Sequence, residues 1–209
     1  RQKILENLGF PAAEDKAKMY ENAYKKFTKA GYVAIGMDHF CRPDDEFFIA
    51  LNNNQLHRNF QGYCTTKTTG QVYGFGASSI SQLFSAYSQN VKNAAQYIKK
   101  INEKNTAVLR GYKLDKNEKI IRDIINSIMC NYYVDFSEIS EKFKTDIVSI
   151  KKIINFSEES LRDFTDLNIM EIKNDKITIS HDARLFIRNI AMKFDPQLSK
   201  KIGTYSKTI

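Results

Sequence analysis

Residues 57–63, HRNFQGY, place several hydrogen-bonding side chains directly beside aromatic rings. Arg58 can hold a carboxylate through two parallel hydrogen bonds, and Gln61 can both donate and accept. Phe60 and Tyr63 can stack on a flat ring or wall a pocket. The pattern indicates a binding loop, although an edge strand with ordinary surface polar residues has the same composition.

Two further stretches carry groups that could bind a ligand. DHFCRPDDE (38–46) offers a polar site around Arg42, but a capped helix with a local ion pair explains the same residues and is favoured. YGFGASSIS (73–81) predicts a glycine-rich turn that leads into a helix, where backbone N–H groups can meet an anion. It lacks a full GxGxxG, so the signal is weak.

Metal ligation is not indicated by the spacing of the residues that could provide it. The three histidines have no metal-site spacing, and Cys41, Cys64 and Cys130 form no CxxC or CxxxCxxC. We therefore expect no metal site and no disulfide framework, and a cytoplasmic protein with reduced thiols. No catalytic residue can be named.

The charge of the 209-residue chain is +8 and lies mainly in its first half. Residues 1–110 hold 15 Lys and Arg against 9 Asp and Glu, so an anionic partner is expected there first. The sequence contains no apolar run long enough for a membrane span and no signal-peptide pattern.

Hydrophobic spacing divides the chain near residue 105. A helix after Pro11, an apolar run at 32–37 typical of a buried parallel strand, and a helix start after Pro43 predict α/β units in the first half. The second half reads as a capped helix from Asp115, short helices over 137–167, a hairpin around Asn174-Asp175 and a last helix capped by Ser180. This order predicts a helical, winged-helix-like domain.

Five motifs in this order resemble oxygen-independent coproporphyrinogen III oxidase, a radical S-adenosylmethionine enzyme family of haem biosynthesis. They are GYVAIGMDHFCRPDDE, LHRNFQGYCTT, YGFGASSIS, RDIINSIMCNY and ARLFIRNIAMKFD. The combination of GMDHFxRPDDE with HRNFQGY is the specific part of the resemblance, which runs over nearly the whole chain.

The resemblance implies a partial TIM-type barrel with a 4Fe–4S cluster on a CxxxCxxC motif, two bound S-adenosylmethionine molecules and a helical domain over the barrel mouth. A deoxyadenosyl radical takes hydrogen from a propionate β-carbon, carbon dioxide and an electron leave, and a vinyl group remains. Two propionates of coproporphyrinogen III react, giving protoporphyrinogen IX.

On this basis residues 1–105 are expected to be the last βα units of the barrel and residues 106–209 the winged-helix-like lid. Ile80 falls where the family contacts the second S-adenosylmethionine, and Phe60 and Gln61 fall near that pocket. Arg58, Arg42 and Tyr63 are expected to bind substrate.

The cluster ligands are absent from this chain, so we expect a missing N-terminal part of the same protein and no activity of the chain alone. A monomer that binds porphyrinogen and no nucleic acid is expected. Three alternatives are a related haem chaperone, a winged-helix nucleic-acid-binding module and a protein-interaction module. The helix predicted before the hairpin, 157–167, holds four acids against Arg162 alone, which disfavours nucleic acid.

Overall fold

The computed structural model describes Gly9 and residues 11–60, 62–66 and 70–198. Within them single helices and groups of helices are interspersed with strand pairs. The α-helices are α1 Ala13–Lys29, α2 Glu46–Asn52, α3 Ala94–Lys104, α4 Lys116–Asn131, α5 Phe136–Phe143, α6 Ile147–Ile153, α7 Arg162–Asp166 and α8 Ile187–Met192. The strands are β1 Val33–Gly36, β2 His39–Cys41, β3 Leu56–Asn59, β4 Gly62–Thr65, β5 Ile80–Gln82, β6 Ala86–Asn90, β7 Val108–Lys113, β8 Tyr133–Asp135, β9 Met170–Lys173 and β10 Lys176–Ile179. Among these residues no helix is both long and apolar enough to cross a membrane.

The first helix forms as predicted and packs over the β1–β2 pair. Acidic Glu14 and Asp15 lie in its first turn, where they complement the helix dipole. The Tyr20 hydroxyl donates to the carbonyl of Met37 at 2.8 Å. The guanidinium of Arg184, from the far end of the chain, lies 4.0 Å from the centre of the Tyr24 ring. The helix therefore contacts both halves of the described chain.

The apolar run at 32–37 is not a parallel strand, and that prediction is wrong. β1 pairs antiparallel with β2 through a turn in which Met37 has φ 45°. Every strand pair among the described residues is antiparallel, so residues 1–105 do not show the expected parallel βα units here. Gly36 permits this arrangement, because a Cβ there would collide with the hydroxyl of Tyr63.

The prediction of a helix after the glycine-rich turn is also wrong. Residues 80–90 form the β5–β6 hairpin, closed by a hydrogen bond from Leu83 N–H to the Ala86 carbonyl at 2.8 Å. Serines are frequent in this stretch and favour non-helical backbone, and β6 finds a pairing partner in β7, further along the chain. Since no helix follows Gly76, no helix N-terminus is present to bind an anion.

The second half is organised around α4. Asp115 and Glu118 form the predicted capping box at its start, and Ile120, Ile124 and Ile128 are fully buried. The helix packs against β3, β8, α5 and α8. It therefore joins the N-terminal hairpins to the C-terminal elements in a single core.

A three-stranded antiparallel sheet in the order β8-β10-β9 completes the second half. The turn at Asn174 and Asp175 has positive φ at both residues, 51° and 59°, as a two-residue hairpin turn requires. The helix predicted over 157–167 is instead a 3-10 turn at Glu159–Leu161 followed by α7. Arg162 is paired with Glu159 at 2.8 Å, so the single cation of this segment is neutralised locally.

The last helix differs from its prediction at its start. Ser180 caps a 3-10 turn, His181–Leu185, and the α-helix α8 begins only at Ile187. Ile187 and Ile190 of α8 are buried, whereas Phe186 before it is 47% exposed. The domain boundary near residue 105 stays a prediction. Strand β7, beyond that position, pairs with β6, which precedes it.

Asp135 links three elements of the second half, and its replacement tests that role. Its buried carboxylate accepts hydrogen bonds from Ser137 N–H at 2.8 Å and Lys176 Nζ at 2.6 Å. Burial works to raise its pKa, but these donors and the Tyr133 hydroxyl outweigh burial and hold the pKa at about 2. Asp135→Asn should lower the free energy of unfolding at pH 7 by about 2 kcal/mol. Urea titration measures the change.

The pH dependence of that loss has a defined sign. The native pKa is depressed, so the stabilisation is complete above the usual Asp value of 3.8 and fades as the pH falls towards 2. The difference in the free energy of unfolding between wild type and Asp135→Asn should therefore become smaller as the pH falls from 3.8 towards 2. Asp146→Asn is the matched control, because it removes an exposed cap of α6 and should cost less. An equal loss in both variants would contradict the role given to Asp135.

Candidate functional site

The main cavity has a volume of about 670 Å³ and lies between the hairpins of the first half and the helices of the second. Its wall combines apolar and aromatic side chains with charged ones. The aromatic and aliphatic members are Phe60, Tyr87, Tyr112, Leu114, Ile121, Ile125, Met129, Ala191, Met192 and Leu198. The charged members are three arginines, Arg58, Arg122 and Arg188, and two carboxylates, Glu118 and Asp195. Such a wall suits a largely apolar ligand that carries acidic groups.

The β3–β4 hairpin brings part of the predicted loop to this cavity. Arg58 faces Tyr63 across the pair, and its guanidinium carbon lies 5.1 Å from the Tyr63 ring centre. One guanidinium nitrogen contacts the Met37 sulfur at 3.6 Å. Phe60, at the hairpin tip, packs edge-on against Tyr87 at 5.5 Å between ring centres. Arg58 and Phe60 thus line the cavity, and their roles in binding a ligand stay predictions.

Tyr63 lies in the core and is not part of the described cavity wall. Its hydroxyl donates to the Met129 carbonyl at 3.4 Å, and its ring meets His39 at 4.9 Å. Burial is the main reason that its pKa rises to about 12. The structure gives this tyrosine a packing role, and substrate binding by it stays a prediction.

Arg42 lies away from both described cavities. Its Nε is 3.6 Å from an Asp44 oxygen, and both side chains are mostly exposed. This local pair matches the favoured interpretation of DHFCRPDDE, with Asp45 as the cap of α2. Gln61 lies outside the described residues.

Ile80 opens strand β5 and is half-buried. It pairs with Gln89, while Gln82 pairs with Tyr87, so these side chains share one face of the sheet. Phe60 packs on Tyr87 of that same face. Gly74, in the glycine-rich turn, makes room for the backbone of Ile80, since a Cβ at Gly74 would lie 2.8 Å from the Ile80 carbonyl carbon.

Arg122 is the first important cavity residue that sequence reasoning missed. It extends from α4 and donates to the Leu83 carbonyl at 3.2 Å and to the Phe84 carbonyl at 2.6 Å. It therefore ties the β5–β6 turn to the helix. A charged residue inside the apolar run IIRDII was the available signal, and FIRNIAM gives the same signal for Arg188.

A second cavity of about 450 Å³ adjoins the first and shares Gln82, Arg122 and Asn126 with it. Its wall is mostly polar and includes His57, whose pKa is lowered first by burial and then by the charge of Arg122. Asn131 Oδ1, also in this wall, is buried and makes no hydrogen bond with a described residue. A buried polar atom without a partner destabilises the fold.

The described residues provide no site for an iron–sulfur cluster. No three His, Cys, Asp or Glu side chains among them come together as ligands. Cys41 and Cys130 are buried thiols, and burial is the main cause that raises their pKa values. The described residues therefore lack the ligands that an iron–sulfur cluster would need.

Comparison with known proteins identifies similar chains at nearly full coverage of this one. Oxygen-independent coproporphyrinogen III oxidase of Salmonella typhimurium is 34% identical over 206 residues, which are 96% of this chain and 43% of that protein. The enzyme of the same name from Thermostichus vulcanus is 34% identical over 212 residues, covering all of this chain and 63% of that protein. No profile of a known protein family matches.

The comparison of structures agrees with the comparison of sequences. A solved structure of coproporphyrinogen III oxidase from Escherichia coli, described as a radical SAM enzyme, superimposes with a TM-score of 0.80 at 34% identity. The chain resembles oxygen-independent coproporphyrinogen III oxidase. The resemblance seen in the sequence is thereby confirmed, over 90% of this chain and 42% of the solved one. The chain thus spans less than half the length of the Salmonella and Escherichia coli oxidases.

The buried Asn131 Oδ1, which makes no hydrogen bond with a described residue, gives a prediction for the wall of the second cavity. Asn131→Leu keeps the approximate size of the side chain and removes the unpartnered oxygen, so it should raise the free energy of unfolding by about 1 kcal/mol. Gln89→Met is the control, because Gln89 accepts two hydrogen bonds from Arg110 and should gain nothing. Thermal and urea unfolding of the two variants measure the difference. A loss of stability in Asn131→Leu would show that the amide has a partner.

Proposed function

We propose that the chain is the C-terminal part of an oxygen-independent coproporphyrinogen III oxidase. The enzyme would oxidatively decarboxylate two propionates of coproporphyrinogen III to vinyl groups, giving protoporphyrinogen IX. One observation carries the proposal: 34% identity to such oxidases over 96% of the chain, with a TM-score of 0.80 to a solved one. As a haem-biosynthesis enzyme it would act in the cytoplasm.

The main cavity supports a role in holding the porphyrinogen. Phe60, Tyr87 and Tyr112 offer aromatic faces and edges for a tetrapyrrole, and the aliphatic side chains of α4 exclude water from it. Coproporphyrinogen III carries four carboxylates, and three arginines line the wall against two carboxylates. The ring would lie among the apolar side chains with its acidic arms on the guanidinium groups.

The sheet face that carries Ile80 supports a cofactor role for neighbouring residues. Ile80, Gln82 and Tyr87 share that face, and Phe60 packs on Tyr87. In the proposed enzyme Ile80 and Phe60, with Gln61, would contact the second S-adenosylmethionine, which supplies hydrogen-abstracting radical chemistry when bound. The residues of this chain would exclude water and orient the ligand.

The rest of the enzyme would hold the 4Fe–4S cluster and the first cofactor. The described strands of residues 1–105 are antiparallel, so we place them beside the barrel and not within its parallel strands. Residues 106–209 would form the lid. Helix α4, strand β8, helices α5 and α6 and the β9–β10 hairpin occur in the order of a winged helix, with the short helix α7 inserted before β9.

The reaction is tested with the complete coding sequence that contains this chain. Under anaerobic conditions, with S-adenosylmethionine and a reductant, the purified enzyme should remove two carboxylates from coproporphyrinogen III, measured by mass spectrometry. The 209-residue chain alone, incubated with iron and sulfide, should show no cluster absorbance and form no deoxyadenosine. Unchanged porphyrinogen with an iron-loaded complete enzyme would refute the proposed reaction.

The cofactor role of Ile80 gives a separate prediction in the complete enzyme. Ile80→Asn puts an amide on the half-buried sheet face, and it should leave folding and iron content intact while abolishing decarboxylation. Val91→Asn is the control, because Val91 is 3% exposed and its replacement should lower the melting temperature. Melting temperature, iron content and rate are measured together. Full activity of Ile80→Asn would remove the cofactor role.

A further inference from the structure

Arg188 stands apart from the other charged residues of the main cavity. It lies on α8 between Ile187 and Ile190, which are fully buried and fix the orientation of the helix. The Arg188 side chain is half-buried and lines the cavity. Its guanidinium makes no hydrogen bond or ion pair with a described residue. The group therefore has its full set of donors available towards the cavity.

The other two arginines of the wall already have partners within the fold. Arg122 donates to two backbone carbonyls, at 3.2 and 2.6 Å. Arg58 contacts the Met37 sulfur and lies over the Tyr63 ring. These contacts hold the two side chains in place and use part of their donor capacity. Arg188 is the arginine of this wall for which no described residue is a hydrogen-bond or ion-pair partner.

The two carboxylates of the wall do not neutralise Arg188. Glu118 accepts from Asp115 N–H at 2.9 Å, from the Tyr112 hydroxyl and from Gln197 Nε2 at 3.3 Å. Asp195 accepts from the Gln197 N–H at 2.9 Å. A half-buried guanidinium without a counter-charge is unfavourable, and a planar carboxylate is its best partner. The wall therefore has three guanidinium groups and only two carboxylates, so one positive charge is left without a counter-charge among the wall residues.

We propose that Arg188 binds a carboxylate arm of the ligand in the main cavity, and so positions the ring and favours rings with more acidic arms. The identity of that ligand as a tetrapyrrole with propionate arms rests on the proposed function. The need for an anion at Arg188 rests on the cavity alone. Arg188 acts through binding and takes no part in breaking bonds.

The experiment uses this chain and coproporphyrin III, the stable oxidised ring with four propionates, followed by its own fluorescence. Arg188→Gln should weaken binding about 10- to 100-fold, the range for a hydrogen bond to a charged group. Arg188→Lys keeps the positive charge but cannot make two parallel hydrogen bonds, so its affinity should lie between those of wild type and Arg188→Gln. Arg162→Gln is the matched control, because it removes the same charge from an exposed site outside the cavity and should bind as wild type.

A second ligand separates a carboxylate contact from a general loss of packing. Mesoporphyrin IX has a similar ring with two propionates, so wild type should bind it more weakly and Arg188→Gln should lose less with it. Equal losses for both rings would point to packing and would overturn the proposal. Circular dichroism and melting temperature establish that each variant is folded. If Arg188→Gln does not fold, the binding of Arg188→Lys tests the proposal instead.

The remaining outcomes distinguish this proposal from the proposed function. Unchanged binding in Arg188→Gln, or an equal loss in Arg162→Gln, overturns the role of Arg188 and leaves the decarboxylation assay unaffected. Absence of coproporphyrin III binding by the wild-type chain also overturns it. In the complete enzyme Arg188→Gln should raise KM for coproporphyrinogen III several-fold with little change in kcat, because the contact is made equally in ground and transition states.

Discussion

The position of α4 is the constraint on which the rest of the structure depends, because three sides of this one helix face three different surroundings. Ile120, Ile124 and Ile128 recur every four residues, so they form a single ridge, and all three are fully buried. The side that carries Ile121 and Ile125 lines the main cavity. The remaining side faces the polar second cavity. A rotation of the helix about its axis would turn part of the buried ridge towards the cavities.

The ends of α4 hold it in that rotation. Glu118 completes the capping box and also accepts from Tyr112 of β7 and Gln197 beyond α8, so the first turn is tied to two other segments. At the other end Tyr132 adopts a left-handed conformation, with φ 57°, and is only 3% exposed. The Arg122 contacts to the β5–β6 turn fix the middle of the helix. The cavity is shaped by these contacts before any ligand enters.

Local sequence patterns predicted the parts of the fold that depend on nearby residues. The capping box at Asp115 and the turn at Asn174-Asp175 formed as expected, because caps and turns involve residues two to four apart. The β5–β6 hairpin was mistaken for a helix because its pairing with β7 depends on residues far along the chain. Arg122 and Arg188 were missed for a related reason: a helix pattern shows that they are polar but not what they face. Phe60 and Arg58 were found because the loop at 57–63 shows its chemistry in seven adjacent residues.

The wall of the main cavity comes from segments far apart in the described chain, from the β3–β4 hairpin to the residues after α8. During synthesis the hairpins leave the ribosome before α4 and α8. Phe60, Tyr87 and the β5–β6 turn therefore stay exposed to solvent until the helices that cover them have been made. Contacts between residues so distant in sequence close slowly, because a long loop must be ordered before they form. Phe75 and Phe84 remain 88% and 66% exposed even when the fold is complete. The nascent chain therefore presents an aromatic-rich, partly paired sheet for much of its synthesis, which is the kind of surface that chaperones bind and that aggregates when they are scarce.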